Sequence, residues 1–248
     1  MNRTTLAAAC ALLLLGCVAE HVDKPVTSES DSVNSTETKG VTLSGEDAET
    51  FLVKFETSQG DFVVEIHPEW APNGATHFRE LVENNFYDDC RFFRVVEGFM
   101  AQFGINGDPA TNKKWGDSIL DDKVVKSNTR GMLTYAQTGM PNSRSTQLFI
   151  SYADNSFLDG QRFAPFGRVV EGMAVVDQLY NGYGDGAPMG NGPDQGRIES
   201  EGNRYLLKDF PKLDYIKTAR IIEVKSADAE PASEPAAETT GEEAPAAE

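Results

Sequence analysis

The chain has 248 residues and a formal net charge of -17 at pH 7, from 39 acidic and 22 basic side chains. This charge argues against a nucleic-acid partner and against electrostatic attachment to anionic lipid, because both need a basic surface. Cys10, Cys17 and Cys90 lie in three different contexts and indicate no disulfide framework. The three histidines lack metal-ligand spacing, so the sequence predicts no metal site.

Residues 1–16 predict a secretory signal peptide. Arg3 precedes an apolar run over residues 6–15 that is too short to span a bilayer as a helix. The segment at residues 14–17, Leu-Leu-Gly-Cys, resembles the lipobox of bacterial lipoproteins. That resemblance implies that Cys17 carries a lipid and begins the mature chain. An ordinary signal peptide that happens to contain a cysteine is the alternative.

Two further segments are biased in composition. Residues 17–48 are rich in Ser, Thr, Glu and Asp and have few large apolar groups to bury, which predicts a disordered tether. Residues 226–248 predict a disordered acidic tail of Ala, Pro and Glu, with a dedicated acidic binding arm as the alternative. Val18 stands where lipoproteins retained in the inner membrane usually have Asp. The expected location is therefore the bacterial envelope, on the outer membrane facing the periplasm.

Residues 49–225 predict one mixed, mostly β domain. Two β-rich runs at residues 52–57 and 62–66, separated by a turn, predict a hairpin. Pro72 fits the first turn of a helix, which apolar residues at helical spacing continue to residue 85. Further strands are predicted at residues 91–96, 132–136, 147–151, 166–170 and 219–224, and a second helix at residues 173–180.

Two long loops interrupt this pattern, at residues 104–126 and 181–200. Loops of this length are usually functional or disordered, and the second one is expected either to narrow a groove or to bind a partner. Many short strands with few helices favour a barrel or a sandwich, and a closed barrel also removes exposed sheet edges. Cys90 is interpreted as a packing residue, because no neighbour in the sequence marks it as an activated nucleophile.

Three sequence segments, in this order, resemble the cyclophilin family. They are residues 92–102 (FFRVVEGFMAQ), residues 146–150 (TQLFI), and residues 157–160 (FLDG) with 166–173 (FGRVVEGM). The resemblance covers about residues 53–224. It implies a mainly β fold, a closed eight-stranded antiparallel β-barrel capped by two helices, and peptidyl-prolyl cis/trans isomerase activity.

The resemblance also implies a site, residue by residue. Arg94 is the implied catalytic residue. The implied substrate-binding residues form the proline pocket and the walls beside it: Phe99, Met100, Gln102, Ala136, Gln137, Gln147, Phe149, Phe157, Leu158 and Phe163. The family's pocket histidine does not align here, and Phe163 or Arg162 takes its place. Phe157 stands where many eukaryotic members have a tryptophan that binds cyclosporin, so cyclosporin is expected to bind weakly.

Isomerisation of an X-Pro bond breaks no covalent bond, so it needs no nucleophile, metal or cofactor. Its barrier comes from amide resonance, and Arg94 can donate a hydrogen bond to the prolyl nitrogen only when that bond is twisted. The expected partners are proline-containing peptides and unfolded envelope proteins, with the membrane reached through the lipid and a monomer as the family's default. One alternative is a peptide-binding chaperone or scaffold with little turnover. Another is a structural lipoprotein without a groove.

Overall fold

The computed structural model of the protein describes residues 49–225. The predictions of a signal peptide at 1–16, a lipid on Cys17, a tether at 17–48 and a tail at 226–248 lie outside the described residues. Within residues 49–225, no helix is both long enough and apolar enough to cross a membrane.

Eight antiparallel strands form one curled sheet. Across the sheet they follow the order β3-β4-β6-β5-β7-β2-β1-β8. Their bounds are β1 Thr50–Thr57, β2 Asp61–Ile66, β3 Arg94–Val96, β4 Met100–Phe103, β5 Met132–Tyr135, β6 Leu148–Ser151, β7 Pro165–Glu171 and β8 Ile216–Lys225. The sequence predicted every strand except β4. All four residues of β4 are buried, so the strand lacks the alternation of polar and apolar residues that would reveal it.

The prediction of a closed barrel is wrong. β3 and β8 are the two edges of the sheet, and no ladder joins them within the described part of the chain. The chain just before β3 meets the chain just before β8 at a single bridge, Arg91 with Tyr215. Backbone hydrogen bonds of 2.9 Å, from Phe92 N to Asp214 O and from Ile216 N to Cys90 O, flank this bridge. One bridged pair is too short for a ladder, and the strand predicted at 91–96 accordingly shrinks to three residues.

The described residues contain more helices than the two predicted. The first prediction corresponds to α1, and the second to α3, which ends three residues early. Both long loops contain short helices that no periodic pattern revealed. The helices are α1 Pro72–Glu83, α2 Pro109–Trp115, α3 Met173–Asp177, α4 Gln195–Glu201 and α5 Asn203–Asp209, with a 3-10 helix at Ser156–Gln161.

Helix α1 closes one end of the sheet. Pro72 occupies its first turn, and Phe78 and Leu81 are fully buried on its inner face. Ala71 supplies no side-chain cap at the N-terminus. Instead, the carboxylate of Asp122 accepts hydrogen bonds from the backbone N–H groups of residues 73 and 74, at 3.0 and 2.9 Å. The loop at 104–126 therefore supplies the cap that the helix itself lacks.

Asp122 is also half of a buried ion pair. Nη2 of Arg144 lies 3.0 Å from Oδ2 of Asp122, and the two side chains are 1% and 2% exposed. Arg144 belongs to the connection between β5 and β6, so this buried pair links that connection to the 104–126 loop and to α1.

Aromatic side chains fill the core. The rings of Phe55 and Phe62 stack with centroids 4.8 Å apart, and Phe103 meets Phe55 edge-on at 5.9 Å. Cys90 is fully buried in the same cluster, where desolvation raises the pKa of its thiol. The interpretation of Cys90 as a packing residue is confirmed.

Candidate active site

The register between β3 and β4 sets the direction of the first site residues. Arg94 lies directly opposite Gln102, and Val95 lies opposite Ala101. Successive side chains of a strand point to opposite faces. Because Val95 and Ala101 are buried in the main core, Arg94 and Gln102 point to the other face of the sheet.

The same register continues across two more strands. Gln102 pairs with Phe149 of β6, and Phe149 pairs with Thr134 of β5. Arg94, Gln102, Phe149 and Thr134 therefore form one row across four neighbouring strands, on the face away from the main core. Distant parts of the sequence reach one surface because the sheet order places β3, β4, β6 and β5 side by side.

A groove of about 270 Å³ is lined by the first three residues of this row, Arg94, Gln102 and Phe149. Arg94 lines it together with every predicted substrate-binding residue except Phe157. The sequence did not predict the other lining residues, which are Thr138, Ser143, Ser145 and Gln195. Gln195 begins α4, so the segment at 181–200 does form part of the groove wall.

Phe157 lies outside the groove. Its side chain is 61% exposed, and its ring stacks on Phe99 with centroids 6.1 Å apart. Phe163, by contrast, lines the groove and meets the ring of Phe149 edge-on at 5.8 Å. Arg162 is exposed and donates a hydrogen bond to the carbonyl of Gly139. Of the two residues considered for the missing histidine, Phe163 is the one in the groove.

Part of the groove wall is apolar. Met100, Phe149 and Leu158 form a small cluster that is separate from the main core, with exposures of 1%, 4% and 6%. Phe99, Ala136 and Phe163 pack against this cluster. A compact apolar ring, such as a pyrrolidine, fits a pocket with these walls because burying it removes apolar surface from water.

A chain of hydrogen-bonded polar side chains borders this apolar cluster. Nη1 of Arg94 donates to Oε1 of Gln102 at 3.0 Å, and Nε2 of Gln102 donates to Oε1 of Gln147 at 2.9 Å. Gln137, at the rim, donates from Nε2 to the carbonyl of Gln161 at 2.7 Å. These bonds fix the groove's amide groups in defined orientations before any peptide arrives.

The structure adds a residue that sequence reasoning missed. Oδ1 of Asp185 accepts a hydrogen bond of 2.6 Å from Nε of Arg94, and Oδ2 accepts one of 3.4 Å from Nη2. The Arg94 guanidinium thereby lowers the pKa of Asp185, which stays ionised. Asp185 lies in the 181–200 segment, 91 positions from its partner, and no spacing pattern connects the two.

No group of three or more His, Cys, Asp or Glu side chains in residues 49–225 is placed to hold a metal ion. The site offers an arginine, several amides and an apolar pocket instead. On the face of the sheet away from the main core, that combination suits a peptide that places a compact apolar ring in the pocket.

Comparison with known proteins identifies the class more closely. The sequence model of the family described as "Cyclophilin type peptidyl-prolyl cis-trans isomerase/CLD" matches residues 52–200. The chain belongs to this family and is an enzyme, a cyclophilin-type peptidyl-prolyl cis-trans isomerase.

Relatives with known names agree with this assignment. The chain is 37% identical over 150 residues to a peptidyl-prolyl cis-trans isomerase of Acinetobacter baylyi, covering 57% of this chain and 78% of that one. It is 34% identical over 134 residues to peptidyl-prolyl cis-trans isomerase-like 3 of Homo sapiens, covering 51% and 80%.

Solved structures agree on the fold. A cyclophilin-type isomerase of Cryptosporidium parvum aligns with a TM-score of 0.53 at 23% identity, covering 70% of this chain and 98% of that one. A cyclophilin of Hirschia baltica aligns with a TM-score of 0.51 at 20% identity, covering 76% and 77%.

Proposed function

We propose that this isomerase assists the folding of bacterial envelope proteins and that Arg94 catalyses the rotation of X-Pro bonds without a covalent intermediate. One observation carries the proposal. A guanidinium held by two side chains borders an apolar pocket in the same groove.

The chemistry follows from the amide bond. Rotation about a peptide bond costs about 18–20 kcal/mol because the twisted state loses resonance. In the twisted state the prolyl nitrogen recovers its lone pair and becomes a hydrogen-bond acceptor. A donor from Arg94 therefore binds the transition state more strongly than either planar isomer, which is the condition for catalysis.

The apolar pocket has a second role in the proposed reaction, which is to hold the substrate. Met100, Phe149 and Leu158 would hold the proline ring still while the preceding residue turns. A partly dry pocket strengthens the arginine's hydrogen bond, because fewer waters compete for it. A structure of the Cryptosporidium parvum relative was determined in the presence of the dipeptide Ala-Pro, which supports a proline-containing ligand for this groove.

The envelope part of the proposal rests on the sequence of residues 1–17. A lipid on Cys17 would hold the enzyme on the outer membrane, with its groove among proteins that fold in the periplasm. Intact mass of the mature chain tests the lipid directly. We expect a diacylglyceryl-type mass increase on an N-terminal Cys17, and a Cys17→Ala chain that is released from membranes. An unmodified mature N-terminus at another residue would contradict the anchor.

The catalytic role is tested with the purified full-length chain, kept in detergent if lipidated, on a short X-Pro peptide. We expect Arg94→Ala to lower the isomerisation rate by about 10²–10³, the usual effect of removing one transition-state donor. Arg130→Ala is the matched control, because Arg130 also donates to both oxygens of an aspartate, Asp177, but lies outside the groove. An Arg94→Ala variant as fast as the parent would contradict the proposed mechanism.

A second candidate is a peptide-binding chaperone with little turnover. Asp185 favours this candidate, because its carboxylate already accepts hydrogen bonds from the Arg94 guanidinium and partly offsets its charge. A folded parent that binds the peptide yet does not exceed the spontaneous rate would support this candidate.

A further inference from the structure

We propose that Asp185 is a positioning residue for Arg94, held in place by the 181–200 segment so that the guanidinium presents a fixed edge to the groove. This inference rests on the proposed catalytic role of Arg94. It concerns how that role is achieved.

The hydrogen bonds at Arg94 divide its donors in a defined way. A guanidinium carries five N–H groups. Asp185 accepts from Nε and from one N–H of Nη2, while Gln102 accepts from one N–H of Nη1. One further N–H remains on each terminal nitrogen. The one on Nη1 donates weakly to Sδ of Met100 at 4.0 Å, which places this edge beside the proline pocket, and a stronger peptide acceptor can replace that sulfur.

The backbone supplies little of this order. Arg94 lies on a three-residue strand at the edge of the sheet, and its side chain is 24% exposed. Without Asp185, only a neutral hydrogen bond to Gln102 and weaker contacts with Met100 Sδ and the Phe99 ring would restrain a long flexible side chain. A bidentate, charge-assisted pair fixes both the direction and the rotation of the guanidinium plane.

Asp185 is itself held firmly. Its Oδ1 accepts a hydrogen bond of 2.8 Å from N–H of Gly186, and its carbonyl accepts one of 2.8 Å from N–H of Gly192. A Cβ on Gly192 would lie 2.8 Å from that carbonyl oxygen, and a Cβ on Gly190 would meet the same oxygen still more closely. The chain can turn this tightly around Asp185 only because glycines stand at these positions.

The carboxylate has two opposite effects on Arg94. It orients the donors, and its charge partly offsets the positive charge that attracts the prolyl nitrogen. The Asp185 side chain is 42% exposed, so water screens its field. Orientation depends on contact geometry and is not screened. The positioning effect therefore dominates, and removing Asp185 lowers the rate.

The test compares Asp185→Asn and Asp185→Ala with the parent, as full-length chains, by exchange NMR on an X-Pro peptide. We expect kcat to fall roughly 10-fold to 10²-fold in Asp185→Ala, with KM within about twofold, because misplacing a catalytic group affects the chemical step. Asp185→Asn keeps the Oδ1 acceptor for Nε and for Gly186, so its kcat should lie between that of the parent and that of Asp185→Ala. Asp177→Asn removes a comparable carboxylate outside the groove and should leave both constants unchanged.

A structural collapse of the 181–200 segment in Asp185→Ala can be distinguished from the loss of a positioning contact. Collapse would also move Gln195 out of the groove wall and raise KM, which would overturn the positioning role. A kcat of Asp185→Ala within twofold of the parent, or above it, would overturn the proposal as well.

A second readout does not depend on activity. In a side-chain ¹⁵N–¹H spectrum, the Nε–H of Arg94, assigned by its loss in Arg94→Lys, should exchange slowly with water in the parent. It should exchange fast in Asp185→Ala and at an intermediate rate in Asp185→Asn. If the parent proves inactive, the proposed function fails, while this spectrum still decides whether Asp185 positions Arg94. An Nε–H that exchanges equally fast in the parent and in Asp185→Ala would contradict the proposal.

Discussion

Each of the two long loops supplies an aspartate to an arginine, and the two pairs differ in what surrounds them. The pair Arg144–Asp122 is almost fully buried, whereas Arg94–Asp185 opens onto the groove. In the buried pair, Nε and Nη1 of Arg144 have no hydrogen-bond partner among residues 49–225, although Nε lies 3.7 Å from Oδ1 of Asp121, and Arg144 does not line the groove. The donors that remain on Arg94 lie beside the proline pocket, where a peptide can reach them.

The same two residue types thus stabilise the fold in one place and, in the proposed mechanism, support catalysis in the other. The buried pair joins α1 to the 104–126 loop through the two backbone hydrogen bonds that Asp122 accepts. The groove pair joins the 181–200 segment to Arg94, the proposed catalytic residue. This comparison predicts that substitutions at one pair change stability and substitutions at the other change the rate.

The largest effect is expected at the buried pair. Asp122→Ala removes the nearer of the two carboxylates that pair with buried Arg144, leaving Asp121 at 3.7 Å from Nε, and removes the cap of α1. We expect the free energy of unfolding to fall by about 3–5 kcal/mol, measured by urea denaturation. The kcat of the fraction that remains folded should match the parent. A folded Asp122→Ala chain with normal stability and a reduced kcat would reverse the comparison.

A smaller effect is expected from acid. Arg94 lowers the pKa of Asp185 below its ordinary value of 3.8, so the carboxylate keeps its charge above that value. The pair is present at higher pH and is lost only as the pH falls through the lowered pKa. Between about pH 8 and pH 5 we therefore expect kcat to be flat with respect to this group. A step inside that range that disappears in Asp185→Asn would show that the pair titrates elsewhere.

Among the ion pairs, the smallest effect on stability is expected at an exposed pair of the same type. Arg130 and Asp177 are 48% and 41% exposed, so water and salt screen their attraction. Asp177→Ala should lower the free energy of unfolding by about 1 kcal/mol or less, and less at high salt. A loss comparable with that of Asp122→Ala would mean that burial is not what separates the pairs.

The parts of the site that depend on local strand register could be predicted from the sequence. Arg94 and Gln102 belong to one short hairpin, where the alternation of side chains places both on one face. Helix α1 was equally predictable, because Pro72 and the spacing of its apolar residues are local signals. The family motif then extended this local pattern to Phe149 and Leu158, which share the pocket.

The remaining features depend on contacts between distant segments. Asp185 lies in a Gly-rich turn without periodicity, so only the folded chain brings it to Arg94. The open seam between β3 and β8 depends on how few residues pair there, which a strand pattern does not specify. Phe157 matches the motif position, yet its 3-10 helix holds it on the outside, against Phe99.

The short edge strand β3 has a consequence for conformational entropy. An arginine side chain carries about 2 kcal/mol of rotamer entropy, and a three-residue strand with one ladder neighbour does little to restrict it. Gln102 and Asp185 remove that freedom when the chain folds. Less side-chain entropy is then lost when a peptide binds. In the proposed mechanism, the favourable free energy of burying the proline ring is therefore available to hold the ring still while the bond turns.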